Sequence, residues 1–252
     1  IAKLQNLEYI KLHGCKLKKI EYLRGLELVR ELDLSCNIIE DYSPIYDYQN
    51  LVKLTLYQEI TLKNIDFIKN YKTLIILNLS YNKFIPDYTP IANLTNLIDI
   101  NLHFNDLKTV EYLKDLKLIT NLDLSHNTEI ADYTPITSLT NLEILNLWNS
   151  DIKNLDFLKV FKKLKKIILA NNENMADLTP LTSLTSLQSL DIHGCNLKSI
   201  EFLKQMKTLL ELNISYNRDI VEFNPIIYLK NLESIEFRYC SIKNYDFLKD
   251  IK

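Results

Sequence analysis

The chain has 252 residues, with 30 Lys+Arg against 32 Asp+Glu, and it is 47% hydrophobic and 25% charged. That is the composition of a folded domain, and a formal charge of −2 offers no generic attraction to nucleic acid or an anionic membrane. Three glycines leave no material for Gly-rich phosphate loops or dinucleotide fingerprints, and no apolar run reaches the ~18 residues of a membrane span.

Along the chain, the pattern L-x-x-L-x-L-x-x-N returns from one end to the other. Its second apolar position falls at Ile10, Leu32, Leu54, Leu77, Ile100, Leu122, Leu145, Ile167, Leu190, Leu212 and Ile235, 22 or 23 residues apart each time. Alternation such as Leu122-Asp123-Leu124 buries one face of a strand and leaves the other outward. One such unit cannot cover its own apolar face, but stacked neighbours share a core. The predicted fold is therefore a leucine-rich-repeat solenoid of the α/β horseshoe class, with eleven parallel strands on its concave face.

Asn follows six of the strands, at Asn37, Asn82, Asn105, Asn127, Asn172 and Asn217, where an inward amide can satisfy backbone groups of adjacent turns. Cys15, Glu59, Ser150, Cys195 and Cys240 hold that position elsewhere. Small cysteines suit a buried turn. Glu59 is a poor substitute in a repeat that runs one residue long, which predicts local irregularity.

A longer period of 45 residues overlies the first. Alternate repeats return through segments such as Asp87-Tyr88-Thr89-Pro90, Asp132-Tyr133-Thr134-Pro135 and Asp177-Leu178-Thr179-Pro180; the intervening ones use Asp66-Phe67-Ile68, Glu111-Tyr112-Leu113 and Asp156-Phe157-Leu158. Proline fixes φ and lacks an N–H, so 3-10 or irregular convex segments are expected rather than full helices. The duplicated unit is a pair of repeats. Both ends cut into the pattern, so we expect a single domain over residues 1–252, taken from a longer chain without its terminal caps.

At these residues the chain resembles a known group. The stretch from Pro86 to Leu102 resembles an internalin repeat, as does the stretch from Asp177 to Ile192. The resemblance implies a bacterial cell-surface or secreted protein, associated with virulence, whose concave face binds another protein. The stretch from Val110 to Asn127 is equally similar to the SDS22 group of intracellular phosphatase regulators, which would imply a cytoplasmic scaffold for an enzyme.

Two outward columns follow each L-x-L pair, and they contain all four histidines and the only tryptophan. Aromatic residues and Arg are the usual anchors of protein interfaces. We place the centre of partner binding at Tyr57, Tyr81, His103, Phe104, His126 and Trp148, with Tyr216, Arg238 and Tyr239 further along. The alternative is that rings one strand apart only stabilise the sheet, as in a structural spacer. Seven acids and four Lys/Arg over four outward columns make a mildly acidic face, suited to a basic or mixed patch. Catalytic residues, a cofactor, a metal site and a disulfide framework are not expected: there is no C-x-x-C pair and no spacing that suggests a nucleophile with its base. The expected protein is a non-catalytic, monomeric protein-recognition module.

Overall fold

The computed structural model describes residues 4–250; residues 1–3 and 251–252 of the expected domain lie outside the described residues. Every predicted strand forms, three residues long and centred on the repeat's second apolar position. They are β1 Tyr9–Lys11, β2 Glu31–Asp33, β3 Lys53–Thr55, β4 Ile76–Asn78, β5 Asp99–Asn101 and β6 Asn121–Asp123. They continue as β7 Ile144–Asn146, β8 Lys166–Ile168, β9 Ser189–Asp191, β10 Glu211–Asn213 and β11 Ser234–Glu236. The strands pair in chain order into one parallel sheet, in register at their centres, with Ile10 opposite Leu32 and Leu122 opposite Leu145. The two apolar residues of each inner L-x-L pair, such as Leu122 and Leu124, are buried, whereas Leu12, Ile235 and Phe237 in the first and last repeats are only partly covered.

The returns are 3-10 turns, from Glu21–Leu23 to Asp246–Asp250. In Thr89–Asn93, Thr134–Ser138 and Thr179–Ser183 the proline stands within the first two positions, where its missing N–H costs no bond. An Asp two residues before each turn's first residue accepts from that residue's backbone N–H, as Asp177 does from Thr179 at 2.8 Å. The hydroxyl of Thr179 bonds the same carboxylate, and together the two bonds hold Asp177 below the usual carboxylate range.

The 45-residue period has a packing cause. In four of the five proline-bearing returns an aromatic stacks on the aromatic of the repeat that follows; the fifth has Leu178 there. Ring centroids are 5.1 Å apart for Tyr42 and Phe67, 6.0 Å for Tyr88 and Tyr112, 5.0 Å for Tyr133 and Phe157, and 5.7 Å for Phe223 and Phe247.

The turn asparagines form a buried ladder. Asn127 Oδ1 accepts from the backbone N–H groups of Asn105 (3.0 Å) and Leu107 (3.1 Å), and its Nδ2 donates to the carbonyls of Leu102 and Leu124, both at 2.9 Å. Asn172 and Asn217 repeat this pattern in their own turns. The irregularity expected at Glu59 is absent. Its Oε1 takes the amide oxygen's place and accepts from Asn37 N–H at 2.7 Å; its Oε2 accepts from the Tyr42 hydroxyl at 2.8 Å. The longer side chain keeps the ladder continuous.

Glu59 is 1% exposed and, among the described residues, makes no ion pair. Burial pushes its carboxyl above the ordinary value, against the hydrogen bonds from Asn37 and Tyr42. A raised carboxyl favours the fold below the unfolded-state value and loses that contribution as pH rises through the folded-state value. Glu59→Gln is therefore expected to be more stable than the parent at pH 8, by on the order of 1 kcal/mol. The advantage should shrink toward pH 4.5 in urea titrations.

The cysteines divide. Cys195 is buried, and burial pushes its thiol up to about 12. Cys240 is half-buried, whereas Cys15, expected inside its turn, is exposed because no described repeat covers it on the outer side. All four are free thiols.

Candidate functional site: a ladder of rings on the concave face

Seven of the eleven strands end in a local bond that polarity alone does not reveal. Asp33, Asn78, Asn101, Asp123, Asn146, Asp191 and Asn213 accept, through a side-chain oxygen, from the backbone N–H two residues on, at 2.9–3.1 Å. These Asx turns stop the strand and lift the chain toward a corner. Asp123 also accepts from Asn146 Nδ2 at 3.0 Å. Three of the seven acids expected to face a partner, Asp33, Asp123 and Asp191, thus also serve to end strands.

The residue after the strand-ending turn is a left-handed corner. Eleven corners, from Gly14 to Tyr239, have φ between 49° and 66°. Only Gly14 and Gly194 are glycines; at Gly194 an added Cβ would meet Asn171 Oδ1 at 2.3 Å. The others include Tyr81, Phe104, His126, Tyr216 and Tyr239. An L-residue in this region costs about 1–2 kcal/mol. Ten of the eleven corners, all but Tyr239, are pinned by their N–H donating to the next repeat, as Phe104 does to Ser125 O (3.0 Å) and His126 to Trp148 O (2.8 Å).

The small members of the preceding column are not outward at all. Ser35, Ser80, Ser125, Ala170 and Ser215 are buried. Their large neighbours cover them: His103 Nδ1 lies 2.7 Å from Ser125 Oγ, which in turn bonds Asp123.

All six residues placed at the centre of binding come together. Tyr57 meets Tyr81 edge-on at 5.2 Å between centroids, and Tyr81 meets His103 at 4.8 Å and Phe104 at 5.0 Å. His126 stands edge-on between two parallel rings, 5.0 Å from His103 and 4.4 Å from Trp148. Trp148 is 37% exposed and Tyr81 39%. Tyr216, Arg238 and Tyr239 form a separate group, with Tyr216 stacked on Tyr239 at 4.8 Å and Arg238 Nε 3.5 Å from Glu236. Ala170 and Asn171 separate the two.

Hydrogen bonding sets the histidine protons. Asn149 Nδ2 donates to His126 Nδ1 at 2.9 Å, which leaves the His126 proton on Nε2. Ser125 gives its proton to Asp123, so His103 donates from Nδ1. Burial lowers both histidines below their ordinary value, while Asp123 pulls the other way; at His103 the neighbouring His126 adds to the lowering. The His103–Ser125–Asp123 chain has serine in the middle and buried, whereas an activated hydroxyl needs histidine between serine and acid. Among the described residues, no cluster of His, Cys, Asp or Glu could hold a metal ion.

Two features escaped the column reading. Phe84, 56% exposed with Lys83 Nζ 5.6 Å from its ring centre, lies in the loop beyond the corner. Ile144 is an exposed apolar residue on an outward strand position, legible as a break in the polar column.

A family model for leucine-rich repeats, spanning two copies, matches residues 162–205. No curated protein matches the chain by sequence. An internalin (InlF) from Listeria monocytogenes superposes with a TM-score of 0.86 at 26% identity, over 98% of this chain and 72% of that one. Internalin C2 from Listeria monocytogenes gives 0.70 at 25% identity, over 76% of this chain and 83% of that one. A leucine-rich-repeat protein of Leptospira interrogans shares the fold, with a TM-score of 0.75 at 23% identity over 94% of this chain and 67% of that one. Repeat spacing, the parallel sheet with 3-10 returns and these likenesses agree: the chain is an internalin-like leucine-rich-repeat protein.

Proposed function

We propose that the chain recognises a folded protein through its concave face, without catalysis. The leucine-rich-repeat fold is generally a protein-interaction module, and the finer reading concerns where contact is made. The ladder from Tyr57 to Trp148 is its centre, and Tyr216, Arg238 and Tyr239 make a second contact.

One observation carries the reading. Tyr81, Phe104 and His126 sit at left-handed corners, where glycine or asparagine would relieve strain, and their rings extend over a surface instead of a core. Strain retained at a surface points to function rather than to folding. With about 4.8 Å between strands, the eleven-stranded face is about 48 Å long, enough for an interface of standard size.

The test is capture of partners by the parent domain and by a Trp148→Ala/Phe104→Ala double variant, followed by affinity measurement on the partner identified. The variant is expected to weaken binding by about 2 kcal/mol or more, roughly 30-fold, while remaining folded. Unchanged affinity in the folded variant would reject the ladder as the contact centre.

A further inference from the structure

The near-zero net charge conceals a segregation that the solenoid creates. Loops leading into the strands line one flank, and loops leaving them line the other. The leading loops 69–75, 92–98, 114–120, 137–143, 159–165, 182–188 and 204–210 contain ten lysines and two acids, Asp115 and Glu143. The leaving segments 82–88, 105–111, 127–133, 150–156, 172–178, 195–201 and 217–223 contain twelve acids and five basic residues.

Part of the basic flank is neutralised locally. Lys114, Lys159 and Lys204 pair with Glu111, Asp156 and Glu201 within their own 3-10 turns, and Lys165 pairs with Glu143. Six lysines remain: Lys69, Lys72, Lys117, Lys162, Lys163 and Lys207. Lys163 Nζ donates to Asn141 Oδ1. Lys72, Lys117, Lys162 and Lys207 are exposed, 45 residues apart and in no ion pair among the described residues. Lys72 Nζ donates to Asn93 O at 3.0 Å and Lys162 Nζ to Ser183 O at 2.9 Å. Lys117 likewise donates to Lys114 O. One carbonyl bond aims each of these three ammonium groups and leaves two of its donors unused.

The intervening repeats place neutral hydrogen-bonding pairs on the same line: Thr95 and Asn96, Thr140 and Asn141, Thr185 and Ser186. Cations therefore recur every second strand, about 10 Å apart, with hydroxyls and amides between them. We propose that this flank binds a linear polysaccharide carrying one carboxylate or sulfate per disaccharide, laid along the solenoid axis. Lysines take the acidic sugars, and the hydroxyls of Thr95, Thr140, Thr185 and Ser186 take the neutral ones, since the Asn96 and Asn141 amides already donate to Lys72 O and Lys117 O. A single-stranded nucleic acid bears a phosphate on every residue and calls for exposed rings to stack its bases, whereas the exposed apolar residues on this stretch are Ile98, Leu118 and Val160. A single row also suits a linear polymer better than the plane of a membrane.

Fluorescence anisotropy with a hyaluronan oligosaccharide, which bears one carboxylate per disaccharide, tests the proposal. The variants are Lys117→Ser/Lys162→Ser/Lys207→Ser and, on the opposite flank with the same charge change, Lys108→Ser/Lys153→Ser/Lys198→Ser. Saturable binding is expected, weakened about tenfold or more by the first triple and less than about twofold by the second. Absence of saturable binding by the parent domain, equal losses in both triples, or tighter binding of duplex DNA or phosphatidylserine vesicles would overturn it. The Trp148→Ala/Phe104→Ala variant should bind the oligosaccharide unchanged, so the concave-face reading stands or falls separately.

Discussion

Replacing Asn127 with leucine is expected to destabilise the domain by about 3–5 kcal/mol, although the two side chains are similar in size. The amide is completely buried and joins two turns by five bonds: N–H groups of Asn105 and Leu107 enter its oxygen, and its nitrogen donates to Leu102, Leu124 and, at 3.2 Å, Ser125. Leucine leaves the N–H groups of Asn105 and Leu107 and the carbonyl of Leu102 without this partner, while Leu124 O and Ser125 O keep bonds from Ser150 and Phe104. Each unsatisfied group costs about 1–3 kcal/mol before the turns relax. The corner at His126 directly precedes this residue, so the ring ladder should loosen as well. Urea unfolding monitored by circular dichroism gives the stability; a loss below about 1 kcal/mol would show that the ladder is not a principal support of the turns.

Phe161→Ala is expected to cost a comparable ~3–5 kcal/mol, and to act differently. Phe161 is among the largest fully buried side chains and caps the return of the seventh repeat over the core. Its removal leaves a cavity where each repeat touches only its neighbours, so the lesion falls on the link between the two halves of the array. Unfolding should then lose cooperativity, with a lower m-value and separate transitions. Trp148, in the same repeat, reports its surroundings by fluorescence while circular dichroism reports the whole. Coincident transitions with an unchanged m-value would show that the remaining contacts still couple the halves.

Much of this architecture is legible in residue spacing. A repeat of 22 or 23 residues with L-x-L at its centre demands a strand per repeat, because only stacking buries the apolar face. Proline at Pro90, Pro135 and Pro180 marks the tight returns, and the buried asparagines follow from the turns they must satisfy. Glu59 was harder to read. Residue type suggested a defect, while two acceptor oxygens and a longer reach allowed it to continue the ladder with Tyr42 as a partner 17 positions away in the chain.

Spacing settles the fold, the number of strands, their parallel order and the gathering of Tyr57, Tyr81, His103, Phe104, His126 and Trp148 on one face, since each follows from local periodicity repeated along one axis. It does not reveal that Asp123 and its equivalents end strands, that Ser125 is buried beneath His103, or that the corner rings lie at positive φ. Nor does it show that a formal charge of −2 separates into a basic and an acidic flank. Those outcomes depend on contacts between residues about one repeat apart and on backbone geometry at the corner. Neither is encoded in residue type alone, and both arise only when one turn is stacked on the next.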